Sequence, residues 1–252
     1  MNSADVIAVI PARYQSTRFP GKMVAPLGGK PLVQHTYERA LQAKRVGDVC
    51  VATDDDRVVE ALAPYGTQVV MTRDDHPSGT DRIAEVAERS QAQIVVNVQG
   101  DEPLIDPNTI DEVVDALIAD SESVMATAAR ALVDPTAIND PNVVKVVMGP
   151  SGRALYFSRS PIPYERDAAS GPEAGVRYWH HIGLYAYRRD FLLEYAQMPP
   201  SPLEKIEMLE QLRALENGYA IQVVETQYES IGVDTPDDLE EVRTIIERAL
   251  NH

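Results

Sequence analysis

Arg13, Arg18 and Lys22 stand within one twelve-residue stretch that holds no acid, in a chain whose formal net charge is −16 at pH 7. The stretch reads Pro11-Ala-Arg-Tyr-Gln-Ser-Thr-Arg-Phe-Pro-Gly-Lys22, with Ser16 and Thr17 adding hydroxyl donors and Pro20-Gly21 marking a turn. Arginine forks match phosphate oxygens in pairs and lysine supplies a point charge. A polyphosphate is the ligand such a loop suits. The stretch is neither GxxxxGK[ST] nor GxGxxG, so the usual phosphate-loop motifs do not apply. A solvated basic loop is the competing reading.

Two acids stand where a metal could meet such a ligand. Asp101 lies in Gln99-Gly-Asp-Glu-Pro103, where Gly100 lets the backbone turn sharply, and Asp234 lies in Gly232-Val-Asp-Thr-Pro236. Mg²⁺ takes one or two protein carboxylates and fills its shell with water and phosphate oxygens. Each acid also has a purely structural reading, as a turn acid or as a charge favouring a helix N-terminus.

Three further stretches carry polar chemistry. Thr72-Arg-Asp-Asp-His-Pro-Ser-Gly-Thr-Asp-Arg82 offers Arg73, Ser78, Gly79 and Thr80 as donors to a nucleobase or a phosphate. Thr80 would serve equally as a helix N-cap, and His76, with no second His at ligand spacing, is expected in solvent. Along 179–188 the alternation puts His181, Gly183, Tyr185 and Tyr187 on one strand face. In a helix expected over 202–217, Glu207, Glu210 and Gln211 share a face. No Ser/His/Asp or Cys/His nucleophile set is evident.

These residues need elements to hold them. Apolar runs predict strands over 6–10, 48–52, 68–71 and 94–98, and helical spacing predicts helices over 31–44, 57–63, 80–90 and 107–119. Alternation of this kind implies right-handed βαβ crossovers and a mainly parallel sheet. Ligands then bind beyond the carboxyl ends of the strands, so the loops starting at Pro11, Thr72 and Gln99 are expected on one edge. After about residue 124 the alternation fades. Strand-like runs at 124–128, 143–148, 154–157 and 182–187 read as antiparallel additions, partly a smaller lobe. A strand over 221–224 and a helix opened by Thr235-Pro-Asp-Asp238 close the chain.

Bulk properties exclude several classes. At 252 residues, 44% hydrophobic and 25% charged, the chain is a globular protein rather than a disordered one. A sequence pI near 4.7 argues against nucleic-acid or anionic-membrane binding. One cysteine, Cys50, excludes an internal disulfide and a cysteine metal cluster, and its apolar neighbours suggest a buried thiol. The N-terminus has no basic n-region, and its five-residue apolar run is too short for a signal segment or membrane span. A cytoplasmic location is expected.

Taken together, the motifs resemble the 3-deoxy-manno-octulosonate (Kdo) cytidylyltransferases, the CMP-Kdo synthetases of lipopolysaccharide synthesis. The resemblance rests on the 10–22 stretch, Arg73 to Arg82, Asn97-Val-Gln-Gly-Asp-Glu-Pro103 and Ala154-Leu-Tyr-Phe-Ser-Arg159. His181-Ile-Gly-Leu-Tyr-Ala-Tyr-Arg188, Pro200-Ser-Pro-Leu-Glu204 with Leu209-Glu-Gln211, and Gly232-Val-Asp-Thr-Pro236 extend it in the same order to the last helix. It implies an α/β fold of the nucleotide-diphospho-sugar transferase (Rossmann-like) type: a mixed, mostly parallel sheet flanked by helices, with a small inserted antiparallel lobe. One nucleotidyltransferase domain would span 1–252, with about 130–190 forming the smaller lobe. A cytoplasmic homodimer is implied, making CMP-Kdo and pyrophosphate from CTP and Kdo with Mg²⁺.

Carried onto this chain, the resemblance gives Arg13, Lys22, Asp101 and Asp234 the catalytic roles. CTP would meet Ala12, Arg13, Thr17, Arg18, Lys22, Arg73, Ser78 and Gln99. Mg²⁺ would sit on Asp101 and Asp234, and the sugar acid on Arg159, His181, Tyr185, Glu210 and Gln211. The segment 160–177 matches least well, which leaves Kdo against its 8-amino analogue open. Rival readings are a same-fold transferase for a sialic-type acid or UTP, and a non-catalytic sugar-nucleotide-binding module. Asp101→Asn is expected to abolish turnover and, as a surface acid, to leave folding intact.

Overall fold

The computed structural model describes residues 3–16, 19–166, 178–229 and 231–250. Val6–Pro11 forms β1, buried along its length as an unbroken apolar run requires of a central parallel strand. The chain continues through β2 (Pro26–Leu27), β3 (Lys30–Pro31), α1 (Leu32–Ala40), β4 (Asp48–Thr53), α2 (Asp56–Leu62) and β5 (Val69–Met71). Then come α3 (Gly79–Arg89), β6 (Ile94–Asn97), α4 (Pro107–Ala119), β7 (Ser123–Leu132), α5 (Pro135–Asn139), β8 (Lys145–Met148) and β9 (Ala154–Ser158). The last elements are β10 (Tyr178–Arg188), α6 (Arg189–Tyr195), α7 (Pro202–Glu207), α8 (Leu212–Glu216), β11 (Ala220–Glu225) and α9 (Pro236–Leu250).

The main sheet runs β11-β7-β10-β6-β1-β4-β5, with β8 added to β10 and β9 to β8. β1 is parallel to β4 and β6, and β4 to β5. β10 runs antiparallel to both β6 and β7, while β11 is again parallel to β7. The sheet is therefore mixed and mostly parallel. The carboxyl ends of β1, β5 and β6 share one edge, so the loops after Pro11, Met71 and Asn97 open together, as βαβ winding demands.

Alternation along β1 divides the core. Ala8 and Ile10 face Val33, Leu62, Val113 and Leu117 of the helices on one side. Ile7 and Val9 face Ile83, Val86, Phe191 and Leu192 on the other. Cys50 is sealed in this second layer, where burial pushes its thiol up to about 12. Among the described residues, no helix is long and apolar enough to cross a membrane.

Some elements depart from the sequence reading. The hairpin β2–β3 is new, and its signal was Gly28-Gly29, whose φ of 55° and 85° suit a two-residue turn. The single helix expected over 202–217 is broken at Met208, which sits at φ 52°. The Glu207 carboxylate accepts from Ser158 Oγ at 2.6 Å and Arg159 N at 2.9 Å. Arg159 in turn donates from Nε to the Glu207 carbonyl at 2.8 Å and from its guanidinium to the Met208 carbonyl at 3.3 Å. Carbonyls that would have continued the helix are thus taken by another strand's arginine. Glu207 turns toward β9 and does not share a face with Glu210 and Gln211. The reading of α9 holds: Asp238 N donates to Thr235 Oγ1 at 3.3 Å, and the Asp238 carboxylate caps Asp234 N and Thr235 N.

Candidate active site

Lys22 arrives through a tight turn whose Gly21 has φ 74°. Its Nζ donates to Asp101 Oδ2 at 2.7 Å and to Asp234 Oδ1 at 3.1 Å, joining residues 79 and 212 positions away. Asp101 is brought there by Gly100: a Cβ at that position would lie 3.0 Å from Met23 Sδ and 3.0 Å from the Pro11 carbonyl. Only a bare backbone lets the loop after β6 lie against the end of β1. Asp234 is brought by the cap of α9 and by Val233 N, which donates to the Asp101 carbonyl at 2.9 Å. Tyr228 adds a 2.8 Å bond to Glu102. Burial works against charge on Lys22, but hydrogen bonds and attraction from Asp101 and Asp234 outweigh it and hold its pKa above the usual value. Asp101 is therefore the partner of a buried ammonium rather than the free surface acid the sequence suggested.

Arg13 lines a concavity of about 660 Å³ with Tyr14, Gln15, Ser16, Asp54, Asp55 and Asp74. Its guanidinium donates to the His76 carbonyl at 2.6 Å. Ala12 is buried and extends the ladder beyond β1 by donating to the Ala52 carbonyl at 2.8 Å. Thr17 and Arg18 lie outside the described residues, as does the 167–177 part of the 160–177 segment. Arg73 is exposed, and its guanidinium lies 3.3 Å from Asp75 above a separate concavity. The Ser78 hydroxyl caps α3 in a reciprocal box with Asp81, so its donor is taken by Asp81 Oδ2 at 2.6 Å. His76, expected in solvent, is buried: its Nε2 lies 2.5 Å from Glu85 Oε2.

A smaller pocket of about 140 Å³ opens between α3, the end of β6, β10 and the bend after α7. Tyr185, Glu210, Gln211 and Gln99 line it, together with Thr80, Asn97, Tyr187 and Tyr195. Thr80 Oγ1 donates to Glu210 Oε2 at 2.9 Å, and Tyr195 donates to the Glu210 carbonyl at 2.5 Å. Burial raises the Glu210 pKa despite the Thr80 hydroxyl and Arg213, which lies 3.6 Å away. Gln211 Nε2 is buried with no hydrogen-bond partner. Such a donor costs free energy unless a ligand meets it. Burial also drives the Tyr185 hydroxyl well above its ordinary value.

His181 and Arg159 are not among the residues that line this pocket. The His181 ring lies 5.4 Å from that of Tyr185, with Nε2 3.0 Å from Thr127 Oγ1, and burial lowers its pKa to about 3. The ring is neutral at ordinary pH and packs beside the tyrosine. Arg159 is engaged by the carbonyls of Glu207, Met208 and Pro141. Sequence reasoning missed Asn97, Tyr195 and the Arg213–Glu204 pair, whose 2.6 Å contact ties α8 to α7. Thr80 stood in the polar loop, but nothing local could reveal its partner 130 residues away.

Among the described residues, no group of three or more His, Cys, Asp or Glu side chains gathers to hold a metal. Asp101 and Asp234 meet at the Lys22 ammonium, and two carboxylates are the protein share of a divalent-cation shell completed by water and phosphate oxygens.

Comparison with known proteins sets the class first. A family model described as cytidylyltransferase matches residues 7–229, a span that includes Lys22, Asp101 and the concavities at Arg13 and Gln211. The chain belongs to the 3-deoxy-manno-octulosonate cytidylyltransferase family. It is 54% identical over 245 residues to the 3-deoxy-manno-octulosonate cytidylyltransferase of Solibacter usitatus, covering 97% of this chain and 96% of that one. Identity to the protein of that name from Geobacter metallireducens is 56% over 243 residues, covering 94% and 96% respectively. A solved CMP:2-keto-3-deoxy-manno-octonic acid synthetase complexed with CTP superposes with a TM-score of 0.91 at 45% identity, over 97% of this chain and 99% of that one.

Proposed function

We propose that this chain activates Kdo with CTP, releasing pyrophosphate and yielding CMP-Kdo for lipopolysaccharide synthesis in the cytoplasm. The observation that carries this reading is the convergence of Lys22, Asp101 and Asp234 at the sheet's carboxyl edge. The anomeric hydroxyl oxygen of Kdo bonds to the α-phosphorus as the bond from that phosphorus to pyrophosphate breaks, and the hydroxyl proton leaves to solvent. Negative charge grows on the departing pyrophosphate, where Arg13 and Lys22 offset it from fixed positions. Asp101 and Asp234 would hold Mg²⁺, which when bound would supply further charge neutralisation and Lewis-acid polarisation. On the resemblance, the backbone at Ala12 meets the nucleotide, and so does Gln99 from its place in the lining of the smaller pocket.

Tyr185, Glu210 and Gln211 position the sugar acid. The unpartnered Gln211 amide supports this part of the reading, because a polyhydroxylated ligand brings the acceptor it lacks. His181, whose ring lies 5.4 Å from that of Tyr185, stays in the proposed sugar-binding set on the resemblance. Thr17, Arg18, Arg73, Ser78 and Arg159 remain in the proposed contact set on the resemblance alone. We read the chain as one nucleotidyltransferase domain with about 130–190 as its smaller lobe. A homodimer is proposed on the resemblance alone.

Pyrophosphate release tests the proposal, with CTP and UTP crossed against Kdo, 8-amino-Kdo and a sialic acid in the presence of Mg²⁺. Release confined to CTP with Kdo is expected. Turnover with only another sugar acid would move the substrate, and silence from folded protein would leave a binding module.

A further inference from the structure

Arg13 is held by a carbonyl, and that carbonyl belongs to a residue whose side chain is itself locked. The Arg13 guanidinium donates to His76 O at 2.6 Å. The His76 ring is 4% exposed and meets Glu85 Oε2 at 2.5 Å. The same oxygen of Glu85 accepts Arg73 N at 3.0 Å, so one carboxylate pins both ends of the 73–76 loop. Its other oxygen is taken by Arg89, one turn further along α3. Burial alone would raise the Glu85 pKa, but the bonds from Arg73 and His76 bring it below the ordinary value, so the pin is an anion at neutral pH.

A loop with no regular structure between β5 and α3 has many backbone arrangements. Fixing its carbonyl to a few tenths of an ångström requires a tether to a rigid element, and α3 is that element through Glu85. We propose that His76 and Glu85 are positioning residues for Arg13: they set the carbonyl that aims its guanidinium at the nucleotide's phosphates. The proposal rests on the reading of Arg13 given above. Neither side chain touches substrate. The effect of His76 travels through its carbonyl to Arg13, while Glu85 also holds Arg73 N.

The test is steady-state pyrophosphate release with CTP and Kdo, comparing wild type, His76→Leu, His76→Gln, Arg13→Ala and the double variant Arg13→Ala/His76→Leu. His76→Leu removes the ring N–H, and the KM for CTP is expected to rise about ten- to a hundredfold, the cost of a catalytic group misplaced by about an ångström. The KM for Kdo should stay within about twofold, a change of under ~0.5 kcal/mol. His76→Gln restores an N–H at similar reach and should recover most of the affinity. In the Arg13→Ala background, His76→Leu should change nothing further, as coupled positions do. If His76→Leu does not fold, Glu85→Gln replaces it, with a smaller rise in the same KM.

An unchanged KM for CTP, equal rises for both substrates, or additive effects in the double variant would overturn the proposal. Silence from folded wild type would instead overturn the underlying assignment of function.

Discussion

Lys22 and Gln211 lie on two sides of the same sheet edge and are held in opposite ways. Around Lys22 the charges are already paired, each carboxylate within 3.1 Å of the ammonium. Around Gln211 the pairing is incomplete: its amide donor has no partner, and Glu210 is a half-buried carboxylate with a raised pKa. The first arrangement keeps charge fixed before any phosphate arrives, so little reorganisation is needed when charge develops. The second carries an unmet cost that a ligand relieves, which favours binding of a molecule rich in hydroxyls. On the proposed function, the first region prepares charge for chemistry and the second trades stability for recognition.

The largest effect expected from breaking this contrast is at Asp101. Asp101→Asn should lower turnover about 10²- to 10³-fold, the scale of one electrostatic group in a preorganised site. It should also cost about 2 kcal/mol of stability, since a hydrogen bond to the buried Lys22 ammonium weakens. Turnover and thermal melting of the variant check both. Near-normal activity in Mg²⁺ would remove Asp101 from the metal site, and an unchanged melting temperature would mean that the Lys22 pair contributes nothing to the fold.

Gln211→Met sharpens the contrast from the other side. Replacing an unpartnered buried amide by an apolar group of similar shape is neutral or stabilising by up to about 1 kcal/mol. The melting temperature of the apo protein should hold or rise while the KM for the sugar acid increases about tenfold, a loss of ~1.4 kcal/mol. A marked fall in melting temperature would show that the amide is satisfied within the fold.

A pH-dependent effect concerns His181, beside Tyr185. Its folded pKa of about 3 lies under the ordinary histidine value of 6.5. As pH falls through the ordinary value, the unfolded chain gains a proton that the folded chain refuses. The stability contributed is full above pH 6.5 and is lost toward pH 3, by at most about 1.4 kcal/mol per pH unit. His181→Asn should therefore make the decline of melting temperature between about pH 6.5 and 4.5 shallower. Parallel curves for variant and wild type would refute this.

The parallel half of the fold was legible in the sequence because its strands are unbroken apolar runs separated by periodic helices. That pattern alone put the loops after Pro11, Met71 and Asn97 on one edge. Residue types named Lys22, Asp101 and Asp234, but their meeting depends on Gly100's close approach to Pro11 and on the Val233–Asp101 backbone bond, neither of which has a local signal. The pocket side was less legible. Helical spacing over 202–217 was real, yet the Arg159 and Glu207 contacts overrode it at Met208. His76 read as a solvent histidine because burial in a loop is set by what packs above it, here Glu85. The Gly28-Gly29 hairpin, by contrast, has a local signal, two consecutive glycines at positive φ.

The most direct test measures the KM values of CTP and Kdo separately for Lys22→Ala and Gln211→Met in one pyrophosphate-release assay. Lys22→Ala should raise the KM for CTP and leave that for Kdo unchanged, and Gln211→Met should do the reverse. If both variants raise both values equally, the two regions are not separate substrate sites and the account fails.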